Sequence, residues 1–413
     1  MPDWEWPYKL PENWCWTYFK SISTIQTGKK DANYGSDEGK YPFFTCAAEP
    51  IRCHGYSFDC RAILLAGNGD INNINRYNGK FEAYQRTYVV KISEPLCFDY
   101  IFYWFKYRWF DFNKGKMFGT AIPYIRLGNL QEFPTPIPPL AEQQRIVVRI
   151  ESLFSKLDEA KEKAQAVVDS FETRKAAILH KAFTGELTAK WRKEHGVGME
   201  SWEVRTLDSV CSSIFDGDHM PPPKAESGIP FLVISNVNTG HLTFENTRFV
   251  PQEYYDTLSD TRKPQLGDVL YTLVGSFGIP VVVNSKRPFC FQRHMALLRP
   301  IDVSPQFLWY ILQTPEMYDK ASSIATGTAQ LTVPIKGLRA MTIPRPNIAE
   351  QVEIVRILDG FFAREQSAKE AAEAVLDQIN LMKKSILARA FRGELGTNDP
   401  SEESAVELLK QII

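Results

Sequence analysis

Two stretches of this chain carry amide and cationic side chains at the density that contact with base edges and phosphates calls for. The first opens with Thr27-Gly28-Lys29-Lys30, small and cationic, and continues through Asn68, Asp70, Asn72, Asn73 and Arg76 to Gln85-Arg86. Asn pairs bidentately with adenine and Arg with guanine in the major groove, and Lys offers a point charge to phosphate. The second stretch offers Asp216, His219, Lys224, Asn236, Ser276, Gln292, Arg293, His294 and Gln330. Asn, Gly and Asp also cluster wherever a chain simply turns, and Gly67-Asn68-Gly69 reads as a tight turn. The candidates rise above that plain reading only because they fall at matching points of a repeat. Gly119-Thr120-Ala121 recurs as Gly327-Thr328-Ala329 at an offset of 208, and Tyr84-Gln85-Arg86 matches Phe291-Gln292-Arg293 at 207.

Catalytic patterns are missing by contrast. The sequence has no GxxxxGK[ST] for nucleotide phosphates, no HExxH and no GxSxG. It also lacks the Asn-Pro-Pro-aromatic tetrapeptide of amino-methyltransferases. Cys46, Cys53 and Cys60, with His54 beside them, lack the closely spaced ligand pairs of structural zinc sites. Seven cysteines without a CxxC read as reduced thiols in a cytoplasmic protein. No run of about 18 apolar residues suggests a membrane span, and the first residues do not read as a secretory signal. The expectation is a non-catalytic chain that binds no metal or cofactor of its own.

The elements that position these residues follow from the repeat. Residues 137–187 align without a gap on 345–395, with 22 of 51 positions identical, including Ala141-Glu142-Gln143 with Ala349-Glu350-Gln351 and Gly185-Glu186-Leu187 with Gly393-Glu394-Leu395. In the first copy Ile146, Ile150, Leu153, Leu157, Ala160, Ala164, Val167, Phe171, Arg174 and Ile178 step by four and three. In the second Ile354, Leu358, Phe361, Glu365, Ala368, Ala372, Val375, Ile379, Met382 and Ile386 keep the same rhythm. A 3.5-residue period held over four heptads predicts a coiled-coil seam, its middle made of alanine so that two backbones approach closely. Each seam has one polar interruption, Arg174 and Glu365. A helix from Glu142 to Ala182 would span roughly 60 Å at about 1.5 Å per residue. Glu142 and Glu350 suit the positive end of a helix dipole, and Gly185 and Gly393 suit its stops. Two amphipathic helices in separate cores are the alternative.

Between the helices, short apolar runs such as Ala62–Leu65, Tyr88–Val90, Phe231–Ile234, Val269–Tyr271 and Val281–Val283 read as strands with turn-rich loops. Phe98–Phe110 and Phe307–Tyr318 read as helices. The expected fold class is α+β: two similar α/β target-recognition domains, separated by two long helices that form an intramolecular antiparallel coiled coil, with pseudo-two-fold internal repetition. The boundaries are 1–136 for the first domain, 137–197 for the first spacer helix, 198–342 for the second domain and 343–396 for the second spacer helix. The tail 397–413 reads as a short helix docking on its own spacer or on a partner. Net charge is −1 overall and +2, +2, −2 and −3 over 1–136, 137–195, 196–342 and 343–413. Contact with nucleic acid must therefore come from local clusters, since global attraction is absent.

The duplicated AEQ…GEL segments, PPLAEQQRI…AFTGELTAKWR and RPNIAEQVEI…AFRGELG, resemble the conserved regions of a type I restriction-modification specificity subunit. The resemblance covers the whole chain in plan, variable domain and conserved helix twice over. It implies a non-catalytic protein that binds double-stranded DNA, each variable domain reading half of an asymmetric split site. Two methyltransferase subunits and the restriction-translocase subunits would assemble around it, bringing any SAM, ATP and Mg. Two readers on a rigid rod would meet half-sites on one face of the duplex, about 34 Å apart. A specificity partner of a fused restriction-methylation enzyme, and a coiled-coil scaffold with two protein-binding heads, are the competing readings.

Overall fold

The structure is a computed structural model describing residues 6–217, 222–328 and 330–413. The chain forms two compact units: one gathers Met1–Gln165 with Glu373–Ile413, the other is Ala166–Ala372. Each unit thus takes the beginning of one repeated helical segment and the end of the other, a partition that no reading by sequence neighbourhood contains.

In the first unit the strands are β1 (Cys15–Tyr18), β2 (Ser23–Thr27), β3 (Tyr41–Phe44), β4 (Ile51–Cys53), β5 (Phe58–Ala66), β6 (Ile74–Ala83) and β7 (Thr87–Ile92). Then come α1 (Phe98–Asn113), α2 (Leu127–Gln131), β8 (Pro134–Ile137) and the start of α3 (Leu140–Asp169). Six strands form one sheet in the order β2-β7-β5-β6-β3-β4. The apolar run Ala62–Ala66 of β5 is buried because both its faces are covered. Ile63 and Leu65 face the main core with α1, while Ala62 and Leu64 face a smaller cluster with Phe44, Phe81 and Val89. The main core is aromatic: Tyr100, Trp104, Phe105 and Trp109 of α1 are fully buried with Phe133. Phe391, from the far end of the chain, inserts against Trp104 and Tyr107. Burying one such ring contributes about 1.5–3 kcal/mol, enough to hold the returning helix on this core.

The second unit runs from the end of α3 through α4 (Phe171–Phe183), α5 (Ala189–Glu194), β9 (Glu203–Thr206), α6 (Leu207–Val210), β10 (Cys211–Asp216), β11 (Ile229–Leu232) and β12 (Arg248–Val250). It continues with α7 (Gln252–Thr257), β13 (Val269–Thr272), β14 (Pro280–Val282), β15 (Cys290–Phe291), β16 (Met295–Pro300), α8 (Pro305–Leu312), α9 (Pro315–Ile324), α10 (Ile335–Ala340), β17 (Thr342–Arg345) and the first part of α11 (Ile348–Ala390). Its sheets are β10-β16-β13-β14, β12-β11-β15 and β17-β9. The stretch Phe307–Tyr318, expected as one helix, is two. Thr314 ends the first turn sequence, Pro315 begins α9, and the Thr314 hydroxyl caps it by accepting from Met317 N.

The repeated helices pair antiparallel inside each unit. In the second, Arg174 meets Glu365 through Nη2 at 2.7 Å, and Lys369 lies over the Phe171 ring at 5.1 Å. The two polar interruptions of the seams are each other's partners. In the first unit Lys383 pairs with Asp158 and lies over the Phe154 ring at 5.0 Å. Ile146, Ile150, Ala164, Ile354, Leu358, Ala372 and Ile379 are buried as expected, and Leu153, Val167, Phe171, Ile178, Phe361 and Ile386 are half-buried. Ala160, Ala368 and Val375 are corrections: all three are exposed. On α11 the covered line instead passes through Lys369, Ala372, Leu376 and Ile379. Lys and Leu bring longer apolar stems than Ala and Val, and the larger surface wins the inward place. Between α3 and α4, Ser170 keeps two bonds of the helix ladder, its N donating to Ala166 O at 3.1 Å and its O accepting from Arg174 N at 3.0 Å. Its hydroxyl donates to Ala166 O at 2.6 Å, competing with the helix ladder. The tail forms α12 (Ala405–Lys410) and packs Leu408, Leu409 and Ile412 on the first unit's core.

Candidate nucleic-acid interface

In the first unit four chain segments meet at one sheet edge. Gly28 N donates to Thr87 O, Gly67 N to Arg86 O and Gly69 N to Pro123 O, at 3.3, 2.9 and 2.8 Å. Ile125 N returns to Gly67 O at 2.9 Å. Phe118 and Tyr124 exchange backbone bonds of 2.9 and 2.8 Å, closing a short hairpin around Gly119, whose φ is +86°. A Cβ at Gly119 would stand 2.6 Å from Ile122 O, so this turn needs glycine twice over. Gly28 packs so close to its neighbour that a Cβ would fall 1.9 Å from Ala83 O.

The second unit builds the same edge from different residues. Gly217 N donates to Met295 O, Leu273 N to His294 O, Gly275 N to Leu331 O and Val333 N to Leu273 O, at 3.2, 2.8, 3.0 and 2.9 Å. Thr326 and Thr332 exchange bonds of 2.9 and 2.8 Å around Gly327, φ +118°. The equivalence corrects the repeat register: Tyr84 N donates to Phe44 O where Gln292 N donates to Leu232 O. Tyr84 therefore answers to Gln292, at an offset of 208 rather than 207, and Arg86 to His294.

The sequence candidates divide on these edges. Lys29, Gln85 and Arg86 are exposed, as are Lys224, Ser276, Arg293 and Gln330. Asn68 is half-buried and bridges to Tyr124 through its backbone. Lys30 sits over the Tyr34 ring at 4.4 Å, and Gln85 Nε2 donates to Asp31 Oδ1 at 2.8 Å. Gln292, His294 and Asp216 are half-buried, and burial together with Arg293 lowers the pKa of His294. Both causes favour the neutral imidazole of His294 over its charged form. His219 and Ala329 lie outside the described residues.

Several candidates have partners within the fold. Asn236 is buried, its Oδ1 accepting from Val233 N at 3.0 Å and its Nδ2 donating to Glu245 O at 2.9 Å. Arg76 lies on β6, not in a loop; it pairs with Asp99, and its guanidinium covers the Phe102 ring at 4.8 Å. Asp70 Oδ1 accepts from Asn72 N and Nδ2 at 2.9 and 3.0 Å, and Asn73 Nδ2 donates to Cys46 O at 2.9 Å. For Asp70, Asn72 and Asn73 these bonds are the turn chemistry of Asn and Asp, with Asp70 and Asn72 still exposed. Beside this edge stand Phe118, Ile122 and Tyr124 of the closing hairpin, with Arg126 just after it at the start of α2. Only the recurrence of Gly-Thr-Ala in both halves hinted at that hairpin.

Where each repeated helix starts, its Glu-Gln pair ties the helix to its unit. Gln143 accepts from Cys97 N at 2.9 Å and donates to Pro138 O at 3.0 Å; Gln351 does the same with Ser304 N and Pro346 O, both at 2.9 Å. Glu350 is fully buried and accepts from Arg192, Thr188 and Trp202 at 2.6, 2.7 and 2.9 Å. Glu142, also fully buried, accepts from Thr397 at 2.6 Å and from Arg145. These carboxylates are internal anchors more than partners of a helix dipole.

Cys53 donates to Gly55 O at 3.0 Å, and His54 bonds Ser36 rather than a thiol. Burial pushes the Cys15 thiol up to about 11 and Cys211 to about 12, which keeps both protonated. Among the described residues no cluster of His, Cys, Asp and Glu is placed to hold a metal, and no helix is long and apolar enough to cross a membrane.

Residues 11–168 and 199–376 match the family described as the type I restriction modification DNA specificity domain. The type I restriction enzyme EcoDI specificity subunit of Escherichia coli is 28% identical over 98% of this chain and 95% of its own length. The MjaVIII specificity subunit of Methanocaldococcus jannaschii is 26% identical, covering 94% of each. The HsdS subunit from Thermoanaerobacter tengcongensis superposes with a TM-score of 0.61 at 22% identity, over 95% of this chain and 100% of that one. A chain from a structure of type I R-M system assembly and conformational transition gives a TM-score of 0.71 at 22% identity, over 94% and 100%. These likenesses establish a mixed α/β fold with two specificity domains.

Proposed function

The chain belongs to the type I restriction-modification DNA specificity family, and on that premise we propose that it reads a bipartite, asymmetric DNA site, half with each of its loop edges. The observation that carries this reading is the recurrence of one backbone-bonded edge in both units with different side chains upon it. A shared frame with divergent chemistry is what two readers of unlike half-sites require. Residues 1–136 and 198–342 would be the readers. Residues 137–197 and 343–396 would form an antiparallel coiled-coil spacer of pseudo-two-fold symmetry, a reading supported by the Arg174–Glu365 and Asp158–Lys383 pairs.

The candidate contacts are Lys29, Lys30, Asn68, Gln85 and Arg86 in the first reader. In the second they are Asp216, Lys224, Ser276, Gln292, Arg293, His294 and Gln330. Being nearly neutral, the chain would leave much of the phosphate grip to two methyltransferase subunits docked on the spacer, with restriction-translocase subunits outside them. Catalysis, and the SAM, ATP and Mg it uses, would belong to those partners. The test is to sequence methylated adenines in a host that expresses the chain with its methyltransferase. Exchanging residues 1–136 for another such domain should then change one half of the motif and spare the other; a change in both halves would refute modular reading.

A further inference from the structure

The closing hairpin of the first unit carries a cation in an unusual setting. The Arg126 guanidinium lies 3.9 Å from the centroid of the Phe118 ring and 5.9 Å from that of Tyr124, whose hydroxyl its Nη2 reaches at 3.4 Å. Arg126 is exposed, and among the described residues it makes no ion pair. Arg61 and Arg76 of the same unit both hold Asp99. The backbone of Phe118 is tied to Tyr124 in both directions, and Tyr124 bridges in turn to Asn68, so the position from which the ring projects is fixed. Phe118 and Ile122 remain 37% and 61% exposed, so the hairpin presents its arginine together with apolar surface.

A guanidinium stacked on a ring gives up only its face. Its N–H donors lie in the plane, directed sideways, and stay available for a bidentate acceptor. Holding the plane in advance also removes part of the ordering cost of recognition. In the major groove the planar bidentate acceptor is guanine, through O6 and N7. The equivalent positions of the second unit cannot build this device, because Thr326, Thr332 and Pro334 stand where the first has Phe118, Tyr124 and Arg126. We propose that Arg126, fixed flat on Phe118, is a specificity-determining residue that reads a guanine in the half-site of the first unit. The proposal rests on the DNA-recognition reading above.

The full chain, wild type and as Arg126→Ala or Arg126→Lys, is co-expressed with its methyltransferase and the host's methylated adenines are sequenced. Both variants should lose preference for guanine at one position of one half-site, by roughly ten- to hundredfold, while the other half-site is unchanged. The lysine variant keeps the charge and loses the fork, so it separates base reading from phosphate attraction. Melting temperatures equal to wild type show that the edge is still folded; Phe118→Leu, which removes the stacking ring and keeps an apolar side chain, should relax the same position more weakly. An unchanged motif, or methylation weakened evenly at all sites, would overturn the proposal while leaving two-part recognition intact. A wild-type chain that directs no two-part motif would overturn both.

Discussion

Glu350 shows how much one side chain can be asked to hold. It is fully buried, with Arg192 only 7% exposed beside it at 2.6 Å, and it also accepts from Thr188 and Trp202. A buried pair adds little net stability over an apolar pair of the same shape, but removing one partner strands the other. Glu350→Ala should therefore destabilise the second unit by about 3–5 kcal/mol in a urea titration. Glu142→Ala should cost clearly less, because Arg145 is half-exposed and keeps Glu402 at 2.8 Å. Equal losses would mean that the two anchors are not distinguished by burial. The same logic separates Arg76, which shares Asp99 with Arg61 and lies over the Phe102 ring, from Arg86 at the loop edge.

The repeated helices act as elements through their length and register. Arg174 and Glu365 are 33% and 18% exposed at their side chains and would cost energy in any slipped pairing that left them facing apolar positions. A heptad is the smallest step that preserves such a seam, and seven residues at about 1.5 Å remove about 10 Å of helix. That is the rise of about three base pairs at 3.4 Å each. Deleting one heptad from both repeated helices should shorten the unspecified gap of the methylated motif by about three base pairs and leave both half-sites as they were. A gap of unchanged length would refute the spacer role of these helices.

At the scale of the whole chain, the last residues complete the first unit rather than trail from it. Asn398 Oδ1 accepts from Trp14 Nε1 at 3.0 Å and from Asn13 Nδ2 at 3.1 Å, Thr397 donates to Glu142, and Ala405 N donates to Asn13 O at 3.0 Å. Truncation after residue 396 would break all of these and uncover the core beneath Leu408 and Leu409. A loss of about 3 kcal/mol lowers the melting temperature of a unit this size by about 6–12 °C. Calorimetry of the truncated chain should show the transition of the first unit shifted down by that amount, with the transition of the second unit in place. A shift of the second alone would contradict the assignment of the tail.

The sequence by itself determined the duplication, the long helices, the strands at Ala62–Leu65, Tyr88–Val90, Val269–Tyr271 and Val281–Val283, and the glycine turns. All of these rest on periodicity, local backbone preference and turn chemistry within a few residues. It also marked Arg174 and Glu365 as odd members of their seams. Tertiary structure alone decided that they meet, that Asn236 is sealed inside while Arg293 is exposed, and that Lys369 and Leu376 displace Ala368 and Val375 from the covered face. It likewise decided that Phe391 and Thr397 close the unit begun by Trp14. The partners of a polar side chain are near in the chain for Asn236, with Val233 and Glu245, and far for Arg174, with Glu365, and no local pattern encodes the far ones. Arg126 carries no sequence signal of its own, because Phe118 comes beneath it only through the turn at Gly119.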